Sequence, residues 1–262
     1  ADKNNLPAKV LELMNRTNIS SFSLDYSNVL NNADWAKQLK PVISLLEQKD
    51  VNQTKNNAKA KTVDILNINF YDWNGITLFK GGAERYIYDL ASLMKKNGWY
   101  PRIIQNANKP FNIDFRGIPV IGIQTKSDHD LRKMSKAYRE ICFDADLVIA
   151  SPVDLACELW GLNVIGINHG IYWDHKFKKL KNFSLDEYRT IFDSIKNSSK
   201  VVAVDTNFIN WTRTYDYNLA KKLIYIPNYF DGKSFFPISK NFNEKIRILY
   251  PRRLYEARGI FI

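Results

Sequence analysis

Lys80-Gly81-Gly82-Ala83-Glu84-Arg85 stands between an apolar run and an amphipathic stretch, and its residue types suit the capture of an anion. Adjacent glycines let a backbone turn tightly and leave N–H groups bare where a helix begins. Such a terminus carries about half a positive charge, which attracts phosphate or carboxylate. Taken alone, the pair reads equally well as a tight turn that binds nothing. A second chemical candidate is Asn168-His169-Gly170, which follows the aliphatic run Val164 to Ile167 directly. That order predicts an imidazole at the carboxyl edge of a sheet, where ligands of open α/β sheets bind, beside a glycine that admits close approach. A neutral ring there can donate a hydrogen bond to a bound ligand. The bland alternative is a histidine that satisfies loop carbonyls. His129 and His175 lack this placement and read as surface residues.

The elements that must position these groups follow from periodicity. Ala83, Ile87, Leu90 and Met94 repeat with a period of about 3.6 residues and predict a helix, with Arg85, Asp89, Ser92, Lys95 and Lys96 facing away and Asn97-Gly98 ending it. Short aliphatic runs predict strands over Ile65 to Phe70, Arg102 to Gln105, Pro119 to Ile123, Leu147 to Ala150, Val164 to Ile167, Val201 to Val204 and Leu223 to Ile226. Near-continuous aliphatic strands mark a parallel sheet covered on both faces. Ser127 precedes a helix lined by Leu131, Met134, Tyr138 and Ile141, and Ser184 with Glu187 forms a capping box for one carrying Tyr188, Ile191, Phe192 and Ile195. Strand and helix alternate, so the fold class is α/β with a doubly wound parallel sheet. Residues 1–61 read as an N-terminal helical extension, with helices over Pro7 to Met14 and Trp35 to Glu47 and a polar linker from Val51 to Lys61.

Two later segments give the glycine pair a context. Ile226-Pro227-Asn228-Tyr229-Phe230-Asp231 runs on to Phe235-Phe236-Pro237, and after one more apolar run comes Arg253-Leu254-Tyr255-Glu256-Ala257-Arg258-Gly259. In this order, the three pieces resemble the family 4 glycosyltransferases of the GT-B fold, over about residues 63–262. Gly81, Gly82 and Glu84 match the family's Gly-Gly-x-Glu turn. Pro227, Asn228, Asp231, Phe235 and Pro237 match its inter-domain connector, in which Tyr229 replaces a glycine. Arg253 and Gly259 match the opening turn of the second domain, where Arg252 stands for the usual glycine and Arg258 for the usual lysine. That last exchange keeps the charge but trades a point-like ammonium for a planar fork.

The resemblance implies residues 62–240 as a Rossmann-like, acceptor-side domain and 241–262 as the start of a donor-side domain that this chain breaks off. It implies a retaining transfer of a hexosyl-type sugar from a nucleoside diphosphate to a glycan or lipid-linked acceptor, as in bacterial surface polysaccharide biosynthesis. The truncated chain alone is expected to be inactive. His169 would face the reacting sugar; Gly81 and Gly82 with Arg253 and Arg258 would hold the donor diphosphate, whose departure needs fixed donors and cations. The nucleotide sugar is a substrate, and neither a cofactor nor a metal is expected, since no metal-ligand spacing is present. A nucleotide-sugar epimerase of the same fold and a non-catalytic binding domain remain open alternatives.

With 262 residues, 45% of them hydrophobic, the chain can bury a substantial core. Cys142 and Cys157 show no metal or redox spacing and read as buried thiols in a reducing cytosol. No apolar run reaches the ~18 residues of a membrane span, and the N-terminus lacks the pattern of a secretory signal, so a cytoplasmic location is expected. The net charge of +11 comes without the signature of a nucleic-acid module, so no nucleic-acid partner is expected. Tyr172 and Trp173 precede the basic run Lys176, Lys178 and Lys179, a composition that suits either an acceptor or an anionic membrane face at the inner leaflet, or else a solvated loop.

Overall fold

The computed structural model describes residues 60–126, 130–141, 144–170 and 185–229. It divides into two compact units, of which Ala1–Gln38 with Tyr229–Ser239 falls outside the described residues except for Tyr229. The other, Leu39–Asn228 with Lys240–Ile262, carries the described residues from 60 to 228. The expected helical extension up to residue 59, Ser127, Cys142, Ser184 and the donor-side segment lie outside the described residues.

Among the described residues, eight strands form one sheet in the order β3-β4-β2-β1-β5-β6-β7-β8. They are β1 (Thr62–Asn67), β2 (Tyr100–Ala107), β3 (Phe111–Phe115), β4 (Ile118–Gln124), β5 (Leu147–Ala150), β6 (Val164–Asn168), β7 (Lys200–Ala203) and β8 (Leu223–Tyr225). All pairings are parallel except β3 with β4. Helices α1 (Gly82–Lys96), α2 (Leu131–Ile141), α3 (Leu185–Asn197), α4 (Thr206–Tyr215) and the short α5 (Tyr217–Ala220) join them, with a 3-10 turn over Val153–Ala156. This is the doubly wound, Rossmann-like α/β architecture that the alternating pattern predicts.

Every residue of β1, β5 and β6 is buried, which is why β5 and most of β6 read as continuous aliphatic runs. Met134 and Tyr138 of α2 pack with Leu66, Ile104, Val148 and Leu155 in one core; Ile191 and Ile195 of α3 pack with Val201, Phe208 and Leu223 in another. Ile141, expected on the inner face of α2, is 50% exposed because the helix ends there. Helix α4 and strand β3 were not anticipated. In β3, Phe111, Ile113 and Phe115 are half-buried and alternate with exposed Asn112 and Asp114, the pattern of an edge strand with one wet face.

β1 begins three residues before the expected Ile65 and ends at Asn67, three before Phe70. The cause is polar. Asp64, fully buried in β1, is held by Arg102 of β2 through Nε–Oδ1 at 2.6 Å and Nη2–Oδ2 at 3.0 Å, and the Tyr138 hydroxyl donates to Oδ2 at 2.7 Å. Burial pushes the Asp64 carboxyl up, and these donors oppose it. A strand can therefore carry an aspartate that an apolar-run reading would reject. At the other end, Asn67 Oδ1 accepts from Ile68 N at 2.9 Å and turns the chain away from the ladder.

Candidate functional site

Helix α1 starts where the glycine pair predicts. Gly81 is its N-cap, with extended backbone at φ −108° and ψ 176°, and Arg85 N donates to Gly81 O at 3.2 Å. The two glycines differ. A Cβ placed on Gly82 would meet nothing within 4 Å, and the residue is exposed. A Cβ on Gly81 would collide with Glu84 Oε2, so the carboxylate of the first turn folds back over that residue. An acid in this place complements the helix dipole. An external anion would find Gly82 clear and would have to displace Glu84 from Gly81.

The loop leading to α1 is pinned from beneath by Gln105, a fully buried side chain of β2. Its Oε1 accepts from Phe70 N at 3.0 Å and Tyr71 N at 2.6 Å, and its Nε2 donates to Tyr71 O at 3.1 Å and Asn106 O at 3.0 Å. Beyond it the chain forms a small hairpin, bridged at Tyr71 and Leu78, before entering Lys80 and Gly81. Backbone groups without a strand partner are thus satisfied by one amide, and the helix start inherits a fixed position.

His169 follows the last residue of β6, and Ser151 follows the last residue of β5. The Ser151 Oγ and His169 Nε2 lie 2.9 Å apart. The His169 ring meets the ring of Tyr86, one turn into α1, edge to face at 5.2 Å between centroids. Gly170, at φ 116°, turns the chain immediately afterwards, its N–H donating to Asn168 Oδ1 at 2.9 Å. By surface area His169 is exposed, yet it is closely surrounded by protein. The two facts answer different questions: area shows that a ligand can reach the residue, and crowding shows that its charged form is poorly solvated. Loss of solvation lowers its pKa from the ordinary histidine value, so the ring is neutral at pH 7. Burial likewise pushes the Tyr86 hydroxyl up to about 12.

Topology explains why these groups meet. The chain runs outward from β1 through α1 to β2, and returns after β4 to place β5 on the other side of β1. The strand order reverses between β1 and β5, and a crevice opens beyond their carboxyl ends at such a switch point. The open Gly82 turn follows β1, Ser151 follows β5 and His169 follows β6, so all three border the same edge. The buried polar residues Asn67, Gln105, Asn106, Ser151 and Asn168 also gather at the carboxyl ends of their strands. A helix start and a neutral imidazole on one sheet edge offer donors suited to an anion and to a hydroxyl-bearing group.

Of the residues singled out from the sequence, Gly81 and Gly82 begin α1 and His169 follows β6, and the ring contact between Tyr86 and His169 links the two elements. Arg253, Arg258, Tyr172, Trp173, Lys176, Lys178 and Lys179 lie outside the described residues. Ser151, Tyr86 and Gln105 were not singled out. The rule that selected His169, a polar residue directly after an aliphatic strand, applies equally to Ser151 after Leu147–Ala150; Tyr86 and Gln105 sit inside regular elements and gave no signal. Cys157 is a buried free thiol whose pKa burial raises to about 11. Among the described residues no group of three or more His, Cys, Asp or Glu side chains is arranged to hold a metal, and no helix is long and apolar enough to cross a membrane.

No protein-family model matches the chain, and no curated protein does. Among solved structures it is similar to the catalytic domain of starch synthase IV from Arabidopsis thaliana bound to ADP and acarbose, at 13% identity and a TM-score of 0.45 over 71% of this chain and 55% of that one. It is also similar to a glycosyltransferase from Rickettsia africae ESF-5, at 19% identity and a TM-score of 0.37 over 65% of this chain and 43% of that one. A short-chain dehydrogenase/reductase variant from Serratia marcescens follows at 10% identity and a TM-score of 0.28, covering 63% and 75%. The chain thus spans about half the length of the two transferase chains.

Proposed function

We propose that this domain is the acceptor-side half of a retaining glycosyltransferase that uses a nucleoside-diphosphate sugar. One observation carries the reading: the exposed, uncrowded Gly82 begins a helix at the switch-point edge, and Tyr86 of that helix touches the ring of neutral His169. The motif order that resembles family 4, from Gly81-Gly82-x-Glu84 through Pro227-Asn228 to Arg253 and Gly259, supports it. In the transfer, the bond between the anomeric carbon and the diphosphate oxygen breaks, and its electron pair leaves with the diphosphate. An acceptor hydroxyl oxygen bonds to that carbon, and its proton passes to the departing phosphate oxygen.

Negative charge grows on the diphosphate as the bond breaks, so the donors that matter are those aimed at it in advance. The Gly82 N–H and the terminus of α1 supply the share of this domain, and Arg253 and Arg258 are proposed to add that of the second. His169 would steady the sugar through Nδ1, because Nε2 is engaged with Ser151. For Nδ1 to donate, Nε2 must accept, which assigns the Ser151 hydroxyl as the donor in that pair. The acceptor is a glycan or a lipid-linked saccharide, with Tyr172 to Lys179 proposed to face it or an anionic membrane surface.

Titration of the chain with ADP, GDP and UDP tests the reading. The Gly82 amide and the His169 ring should shift in the NMR spectrum with at least one nucleotide. Shifts confined to other parts of the sheet would overturn it.

A further inference from the structure

We propose that a pocket on the opposite flank of α1 from His169 binds a saccharide residue that carries an anionic substituent. The inference rests on the transferase reading above and names the chemical class of the acceptor. The pocket has a volume of about 140 Å³ and lies between the loop after β1, the first two turns of α1 and the β3–β4 turn. That is below the roughly 300–1,000 Å³ of sites that enclose a whole ligand, so it suits one sugar residue of a longer chain.

Its walls are aromatic. Phe115 meets Tyr88 at 5.3 Å and 78°, and Phe70 at 5.2 Å and 73°, which leaves ring faces and edges at right angles around the cavity. Such surfaces pack against the C–H faces of a pyranose, with polar groups at the rim to fix its orientation. The charged side chains that line the cavity are Lys80, Arg85 and Arg116 against the single carboxylate Glu84. Arg85 is partly engaged with Asp89 at 3.7 Å, so Lys80 and Arg116 supply most of the excess.

Arg116 is held there against its backbone preference. With Gly117 it forms the two-residue turn between β3 and β4, at φ 55° beside φ 79°. Positions with positive φ in such turns favour Asn, Asp or Gly, and an arginine in the left-handed region is strained. The turn is nevertheless locked, by Asp114 Oδ1 accepting from Gly117 N at 2.9 Å and by Lys95 Nζ donating to Gly117 O at 2.6 Å. The result is a guanidinium 5.3 Å from the Phe115 centroid and 5.8 Å from that of Tyr88, over the aromatic corner. Strain retained at a residue that completes a cavity points to use of that side chain. A planar fork above a sugar-binding corner matches a carboxylate or phosphate ester. Gly81 and Glu84 also line this pocket, so the bound residue would adjoin the helix start proposed for the diphosphate.

The test uses the full chain and three probes: cellobiouronic acid, its neutral counterpart cellobiose, and inorganic sulfate. The acidic disaccharide should bind at least 10-fold more tightly than cellobiose and shift the Arg116 and Gly117 signals. Arg116→Asn relieves the positive φ and should fold at least as well, yet lose 10-fold or more of that affinity, with Arg116→Lys intermediate. Equal binding of the two disaccharides, sulfate binding as tightly as the uronate, or full affinity in Arg116→Asn would each overturn the proposal. Nucleotide shifts at Gly82 without uronate binding would sink this inference alone. Uronate binding without any nucleotide shift would support the anionic-saccharide site, sink the transferase reading, and overturn the naming of that saccharide as the acceptor.

Discussion

Gly82→Ala separates a binding role from a structural one, because the two move in opposite directions. Gly82 is the first residue of α1, and a Cβ there meets nothing within 4 Å, so the folded state accepts the methyl without collision. Alanine also loses less backbone entropy on folding, so the variant should gain about 0.5 kcal/mol and raise the melting temperature by ~1–2 °C. A helical Cβ tilts toward the N-terminus, which brings the methyl into the space an anion would occupy. A charge-assisted hydrogen bond contributes about 1.5–3 kcal/mol, so blocking it should weaken nucleoside-diphosphate binding roughly 10- to 100-fold. Gly81→Ala is the contrast: alanine is a poor N-cap, and its methyl must push Glu84 aside, so stability falls slightly. Calorimetric titration with the nucleotide that binds best, beside urea unfolding of the same samples, reads both quantities. A Gly82→Ala protein that is more stable and binds the nucleotide as tightly as the parent would refute the placement of the anion at this turn.

Ser151→Ala should leave the fold intact at a cost of about 1 kcal/mol and shift the tautomer balance of His169, visible in the imidazole nitrogen chemical shifts; unchanged shifts would deny Ser151 its positioning role. Arg102→Met strands the buried Asp64 and should cost ~3–5 kcal/mol in urea unfolding, whereas Tyr138→Phe should cost ~1–2 kcal/mol, and pairing Asp64→Leu with Arg102→Met should recover most of the larger loss. Asp154 is 2% exposed, its Oδ1 has no hydrogen-bond partner among the described residues, and burial raises its pKa from 3.8 to about 6. The folded state therefore keeps a proton that the unfolded chain has released, so stability falls as pH rises through that interval and stays lower above it. Asp154→Asn should remove the slope and add on the order of 2–3 kcal/mol at pH 7, read from urea melts at pH 4 and pH 7.

The sheet itself was legible because its inner strands are buried on both faces, and burial on both faces leaves aliphatic runs that need no partner to be recognised. Leu147–Ala150 and Val164–Asn168 fall where such runs lie, and α1 falls where Ala83, Ile87, Leu90 and Met94 repeat. β3 escaped because a strand wet on one face alternates, so Phe111, Ile113 and Phe115 form no continuous apolar run. The limits of β1 escaped because Asp64 becomes a strand residue only when Arg102 and Tyr138, distant in sequence, arrive to pair it.

The chain alone determined that a bare glycine turn opens a helix after one strand and that a histidine closes another, since both follow from local spacing. Tertiary structure decided that they share an edge, that Glu84 covers one glycine and leaves the other open, and that Ser151 and Tyr86 hold the imidazole. The reason is that strand order, which sets neighbours at the crevice, is written in contacts between residues far apart in sequence, and no local pattern encodes them.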